Sequence, residues 1–119
     1  MLMLPTTVRI FLAVKPADLR RSLDGLAALT REVLKRDPLS GHLFVFRNRR
    51  ADRMKILFWS AGGMALFYKR MEKGRFRFPK IGTDAASHEV EAAELAALVD
   101  GLDLAAKQRP RFIPHRSIE

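Results

Sequence analysis

RNRRADRMKILFWSAGGMALFYKRMEKGRFRFPK, residues Arg47 to Lys80, carries both the strand pattern and the charge on which the architecture of this chain turns. It holds eleven Lys or Arg against two acids, Asp52 and Glu72, so its own charge equals the net +9 of the whole 119-residue chain. Arg53 to Ser60 alternates with the two-residue period of a strand, placing Met54, Ile56 and Phe58 on one face and Arg53, Lys55, Leu57 and Trp59 on the other. His42 to Arg47 alternates in the same way, with Phe44 and Phe46 opposite Leu43, Val45 and Arg47. The polar turn Asn48 to Asp52 between them makes a hairpin. Ala61-Gly62-Gly63 is the next turn signal. Met64 to Met71 reads as a third strand, because Gly-Gly between apolar runs favours a hairpin; a short helix capped by Gly74 is the alternative. Arg75 to Phe78 alternates basic and aromatic residues, and Pro79 closes it. The pattern predicts a meander with one apolar and one cationic face.

N-terminal to this centre, Val8 to Val14 (VRIFLAV) is a β-branched and aromatic run that reads as a central strand. Lys15-Pro16 ends it. Pro16 suits a first helical turn, where Asp18 complements the helix dipole. Leu19, Leu23, Leu26, Leu29, Thr30 and Val33 then recur at helical spacing, predicting an amphipathic helix from Ala17 to Arg36 that Asp37-Pro38 terminates. On the C-terminal side the charge reverses: Ile81 to Ala106 carries six acids and no Lys or Arg. Glu91 to Asp100 reads as a helix stopped by Gly101, either solvated or packed near the basic sheet and screening it. The expected fold class is α+β: a small antiparallel sheet of about four to five strands, a long N-terminal helix and a short acidic C-terminal helix. Residues 1–106 form its single domain and 107–119 a basic, Pro-containing flexible tail.

The chain has no cysteine, which excludes a disulfide framework, a thiolate zinc site and a Cys nucleophile. Met1-Leu2-Met3-Leu4 lacks a basic flank, and Pro5 and Arg9 break the apolar residues after it, so neither a signal peptide nor a membrane span is expected. A cytoplasmic protein is the expectation. Metal-dependent phosphoryl transfer needs convergent carboxylates, and the central strands have none. His42, His88 and His115 stand apart without ligand spacing, and no serine has a nucleophile-elbow context. No enzyme, metal or cofactor is expected.

A binding surface is better supplied. Arg47, Arg49, Arg50, Arg53, Lys55, Lys69, Arg70, Lys73, Arg75 and Arg77 are the candidate nucleic-acid contacts, with Trp59 and Tyr68 available for stacking on bases or for the core. Phe44, Phe46, Ile56, Phe58, Phe76 and Phe78 are assigned to the core. About five phosphate contacts on duplex DNA would give a slope of log K against log salt of about −4.5.

Three segments carry a family resemblance: VRIFLAVKPADLRRSLDGLAALTREVL, HLFVFRNRRADRMKILFWSAGGMALFYKRMEKGRFRFP and EAAELAALVDGLDL. Within them the Pro16-Asp18-Arg20-Ser22-Gly25 series, the Phe46-Asn48-Arg49 turn, the Lys55 to Trp59 strand and the Tyr68-Lys69-Arg70-Glu72-Lys73-Gly74-Arg75-Phe76 run stand in order. From about Val8 to Leu104 the chain resembles the TnpB accessory proteins of the IS-sixty-six group of bacterial insertion sequences. Those proteins share only a name with the RNA-guided TnpB nucleases. Met64 and Ala65 depart softly from the pattern, where a bulkier residue often stands after Gly63. The resemblance implies a small protein encoded beside a larger transposase and assisting transposition without cutting DNA. It transfers no catalytic residue. Two readings are open: a DNA-binding accessory factor, its partner the element's terminal repeats, or a protein adaptor that docks on the transposase without touching DNA.

Overall fold

A computed structural model describes residues 7–82 and 84–101. The expected tail, 107–119, and the last residues of the expected domain lie outside the described residues. The elements in chain order are β1 (Ile10–Ala13), α1 (Leu23–Glu32), β2 (Leu43–Arg47), β3 (Arg53–Ser60), β4 (Gly63–Arg70), β5 (Ser87–Val90) and α2 (Ala92–Val99). They build an α+β domain around one five-stranded sheet of order β4-β3-β2-β1-β5.

The sheet is mixed, which corrects the antiparallel expectation. β1 and β2 run parallel, with Ile10 opposite Leu43 and Leu12 opposite Val45, while the other pairs are antiparallel. Parallel neighbours need a long crossover, and the chain between β1 and β2 supplies it through α1. A parallel centre is buried on both sides, and so it is here: β1 and the first four residues of β2 are buried throughout. Phe11, Phe44, Phe46 and Leu57 pack beneath α1 with Leu26 and Leu34. On the opposite face Ile10, Leu12, Val45, Met54 and Ile56 pack with Phe76 and with Leu95 and Leu98 of α2. Each large apolar side chain so buried contributes about 1.5–3 kcal/mol. Both faces carry core, so a sheet with one wholly apolar and one wholly cationic face is overturned; cations remain toward one end of the α1 face, at Arg53, Lys55 and Arg70.

α1 is shorter than the predicted Ala17–Arg36 helix, and the reason lies at both ends. Ala17 N–H donates to Arg47 O at 2.8 Å, which carries the parallel pairing past β1. Asp18 then closes a turn of its own: its carboxylate accepts Arg20 N–H at 3.0 Å, and its carbonyl accepts Arg21 N–H at 3.1 Å. Such Asx bonding competes with helix. At the far end Leu34 and Arg36 N–H donate back to Leu29 O and Thr30 O around Lys35, which adopts φ 58°. Gly25 lies under Arg21 rather than against the sheet; a Cβ there would stand 3.0 Å from the Arg21 Cβ.

The Met64–Met71 ambiguity resolves as strand. β3 and β4 pair from Arg53–Arg70 to Ser60–Gly63 across the two-residue turn Ala61-Gly62, whose φ values of 50° and 83° match a type I′ turn. Arg75 to Phe78, by contrast, is irregular and not a strand. The fifth strand is β5, hidden inside the acidic block. α2 begins with a capping box in which Glu91 and Glu94 each bond the other's backbone, and Gly101 at φ 76° stands just past its end.

Candidate nucleic-acid interface

The turn between β2 and β3 is built by Asn48. Its Oδ1 accepts the backbone N–H groups of Asp52 and Arg53 at 3.1 and 3.0 Å, and its Nδ2 donates to Asp52 Oδ1 at 2.6 Å. The Asn48 bond, then Arg50 nearby, hold the Asp52 carboxyl below its usual pKa. With Asn48 turned inward, Arg49 and Arg50 point to solvent. Two backbone bonds then tie this turn to the chain leaving β4: Met71 N–H donates to Asp52 O and Phe76 N–H to Ala51 O, both at 2.7 Å. Phe76 is buried at 1% exposure, so Arg75 and Arg77 on either side of it are thrown outward.

The cations therefore gather at one end of the sheet, where β2 finishes and β3 begins. There Arg47, Arg49, Arg75, Arg77 and Lys80 line a cleft of about 680 Å³. Its apolar surface comes from Phe76, Phe78, Pro79, Ile81 and the adjoining ends of β1 and α2. Arg47 is partly buried in it. Its guanidinium donates to Val14 O at 3.1 Å and to Asn48 O at 3.4 Å, and sits 5.6 Å from the Phe78 ring centroid. Burial pushes the Arg47 pKa down, and among the described residues no carboxylate pairs with it. Arg49, Arg75, Arg77 and Lys80 likewise have no ion-pair partner among the described residues. Glu94 also lines the cleft, but its Oε1 accepts Glu91 N–H at 2.9 Å.

The other candidates separate from this group. Arg53, Tyr68 and Arg70 lie on the α1 face of the same end, where Arg53 pairs with Arg70 across strands and Arg70 bonds Glu72 at 3.1 Å. Tyr68 is half-exposed there, 5.2 Å from Lys55 Nζ. Lys55 itself donates to Arg21 O at 2.9 Å, holding the chain just ahead of α1. Lys69 faces the opposite way and donates to Val99 O at 2.6 Å, so it secures the end of α2. Arg50 lies 3.9 Å from Asp52 and Lys73 is exposed. Trp59 sits near the far end of β3, opposite Met64, about 20 Å along the strand from Arg53. It shares no surface with the cationic end.

Two contributors escape the sequence pattern. Lys80 belongs to the basic stretch but not to the expected contacts, and Phe78, which packs against the core as expected, also forms cleft wall. The alternation of Arg75 to Phe78 separates inside from outside residues; it does not show that Phe78 ends beside Arg47.

A family model described as IS66 Orf2 like protein matches residues 8–109. The chain belongs to the IS66 Orf2-like family. That family is associated with insertion-sequence transposition. Among its relatives, this IS66 Orf2-like chain is 43% identical over 96 residues to the uncharacterized protein y4jC of Sinorhizobium fredii, covering 81% of this chain and 80% of that one. It is 39% identical over 104 residues to y4hO of the same organism, covering 85% and 88%. No solved structure matches. Among the described residues no three His, Cys, Asp or Glu lie together as a metal site, and no helix is long and apolar enough to cross a membrane.

Proposed function

We propose that this IS66 Orf2-like protein is a non-catalytic accessory factor in transposition that binds nucleic acid through the basic end of its sheet. The observation that supports it is the convergence of Arg47, Arg49, Arg75, Arg77 and Lys80 on one cleft, with no carboxylate paired to any of them among the described residues. Unpaired, clustered guanidinium groups recognise phosphate through planar, bidentate hydrogen bonds. Anisotropy titrations of the element's terminal DNA and of random duplex at several salt concentrations test the reading. Five phosphate contacts give a slope of log K against log salt of about −4.5 on duplex and about −3.5 on single strands. Reversing the charge of Arg75 and Arg77 is expected to weaken binding and flatten the slope; a variant that binds like the parent overturns it.

A second reading, an adaptor docking on the transposase, is favoured by the exposed Pro79 and the partly exposed Phe78 and Ile81 on the same wall, since protein interfaces combine an apolar centre with a charged rim. Co-purification with the transposase in high salt after nuclease treatment, with no nucleic acid bound by the isolated protein, would establish it.

A further inference from the structure

We propose that the cleft takes unpaired nucleotides, as at a single-stranded DNA end, with phosphates on Arg49, Arg75, Arg77 and Lys80 and a base against the Arg47–Phe78 pair. This rests on the nucleic-acid reading above and names which form of nucleic acid the site holds.

Three observations lead there. The cleft is concave and walled by Phe78, Pro79 and Ile81, whereas a duplex presents a convex rod of phosphates with its base faces hidden in the stack. Against a duplex, that apolar wall has no partner. A flexible single strand offers both phosphates and free base faces, and single-strand binders combine a cationic groove with aromatic platforms. Second, Arg47 is a partly buried charge whose guanidinium bonds, among the described residues, go to two carbonyl oxygens, Val14 O and Asn48 O. A cation partly withdrawn from water gains from a nearby anion, and phosphates held by Arg75 and Arg77 bring negative charge into the cleft that Arg47 lines. Third, the Arg47 guanidinium carbon lies 5.6 Å from the Phe78 ring centroid, so the cleft holds side by side the two kinds of flat group on which bases stack. At about 680 Å³ the cleft has the capacity of a site for one drug-sized ligand, hence about one or two nucleotides. The carboxylates of an acidic protein segment would satisfy the same arginines; the neighbouring Arg47 and Phe78 are what favour a base.

The full chain is titrated with fluorescent oligo(dT) of about ten nucleotides, within the usual site size of single-strand binders, with a blunt duplex carrying as many phosphates, and with a peptide of alternating Asp and Phe. The expected result is tighter binding of oligo(dT) than of duplex. Phe78→Ala is expected to weaken oligo(dT) binding about tenfold and to leave duplex binding within about twofold. Since Phe78 also touches the core, Phe78→Leu, which keeps apolar bulk and removes the ring, is measured beside it with thermal unfolding of each variant; a folded Phe78→Leu protein that has lost the oligo(dT) preference supports the proposal. Equal affinity for oligo(dT) and duplex with no effect of either variant overturns it while leaving nucleic-acid binding intact. Binding of the peptide alone overturns both this proposal and the nucleic-acid reading.

Discussion

The backbone N–H of Phe76 donates to the carbonyl oxygen of Ala51 at 2.7 Å, and through that bond two arginine-bearing segments become one surface. Ala51 belongs to the turn that carries Arg49 and Arg50; Phe76 anchors the segment that carries Arg75 and Arg77. The cationic end of the sheet is thus held by backbone geometry, and Arg49, Arg75 and Arg77 have no ion-pair partner among the described residues.

Asn48 is the side chain that shapes this turn, through three hydrogen bonds to Asp52 and Arg53. Asn48→Ala is expected to cost about 1–2 kcal/mol in urea unfolding and to weaken nucleic-acid binding several-fold, because Arg49 loses its fixed direction. A loss of stability with unchanged affinity would remove the turn from the interface.

Lys69 belongs to the most basic run of the chain yet serves the fold. Replacing it with Met removes the charged donor from Val99 O and is expected to lower stability by about 1–2 kcal/mol. Affinity for oligo(dT), by contrast, should stay within about twofold of the parent once the salt slope is compared. Arg75→Ala is the control: its binding falls and its unfolding midpoint does not.

Ala61 occupies the first central position of the β3–β4 turn at φ 50°, a left-handed conformation that an alanine adopts with strain. Asn at that position, giving Asn-Gly, is the preferred type I′ sequence. Ala61→Asn is expected to raise stability by about 0.5–1 kcal/mol, readable as a higher urea midpoint at unchanged m-value.

The acid limb of stability has a definite sign. Bonds from the Arg20 side chain and backbone hold the exposed Asp18 carboxyl down from 3.8 to about 2, and Arg9 lowers Glu89 through its side-chain bonds in the same direction. A depressed folded pKa contributes stability above the unfolded pKa and loses it as pH falls through the folded value. The urea midpoint should therefore be level from neutral pH to about 5 and decline below about 4. Asp18→Asn should flatten the part of that decline between about 4 and 2, and a variant curve parallel to the parent would show that the Arg20 bond does not survive in solution.

Much of the local structure is legible in the residues. The two-residue alternation of β2 and β3 correctly groups Phe44 with Phe46 and Met54 with Ile56, though the two pairs lie on opposite faces rather than on one apolar face, and Gly62 with its neighbours announces the turn into β4. The α2 limits agree within a residue because a cap residue and a glycine bracket them. β5 leaves no such signal: Ser87-His88-Glu89-Val90 has one buried apolar residue, and its pairing depends on the free edge of β1 and on the bond between Arg9 and Glu89 at 2.8 Å. Neither is local. The helix start differs from expectation because Asp18 suits a first helical turn as well as it suits the Asx turn it forms with Arg20.

Composition and a period of two are enough to say where the charge lies, which residues alternate within a strand, and that the first part of Arg47 to Lys80, through Arg70, is built of strands. They do not reach the parallel pairing of β1 and β2, the covering of both sheet faces, or the parting of Lys69 toward α2 from Arg75 and Arg77, which join Arg47 at one cleft. Those were set by the tertiary structure. Alternation tells which residues share a face but not what covers it. That depends on helices and on long-range backbone bonds such as Phe76 to Ala51, whose partners are remote in sequence and leave no local pattern.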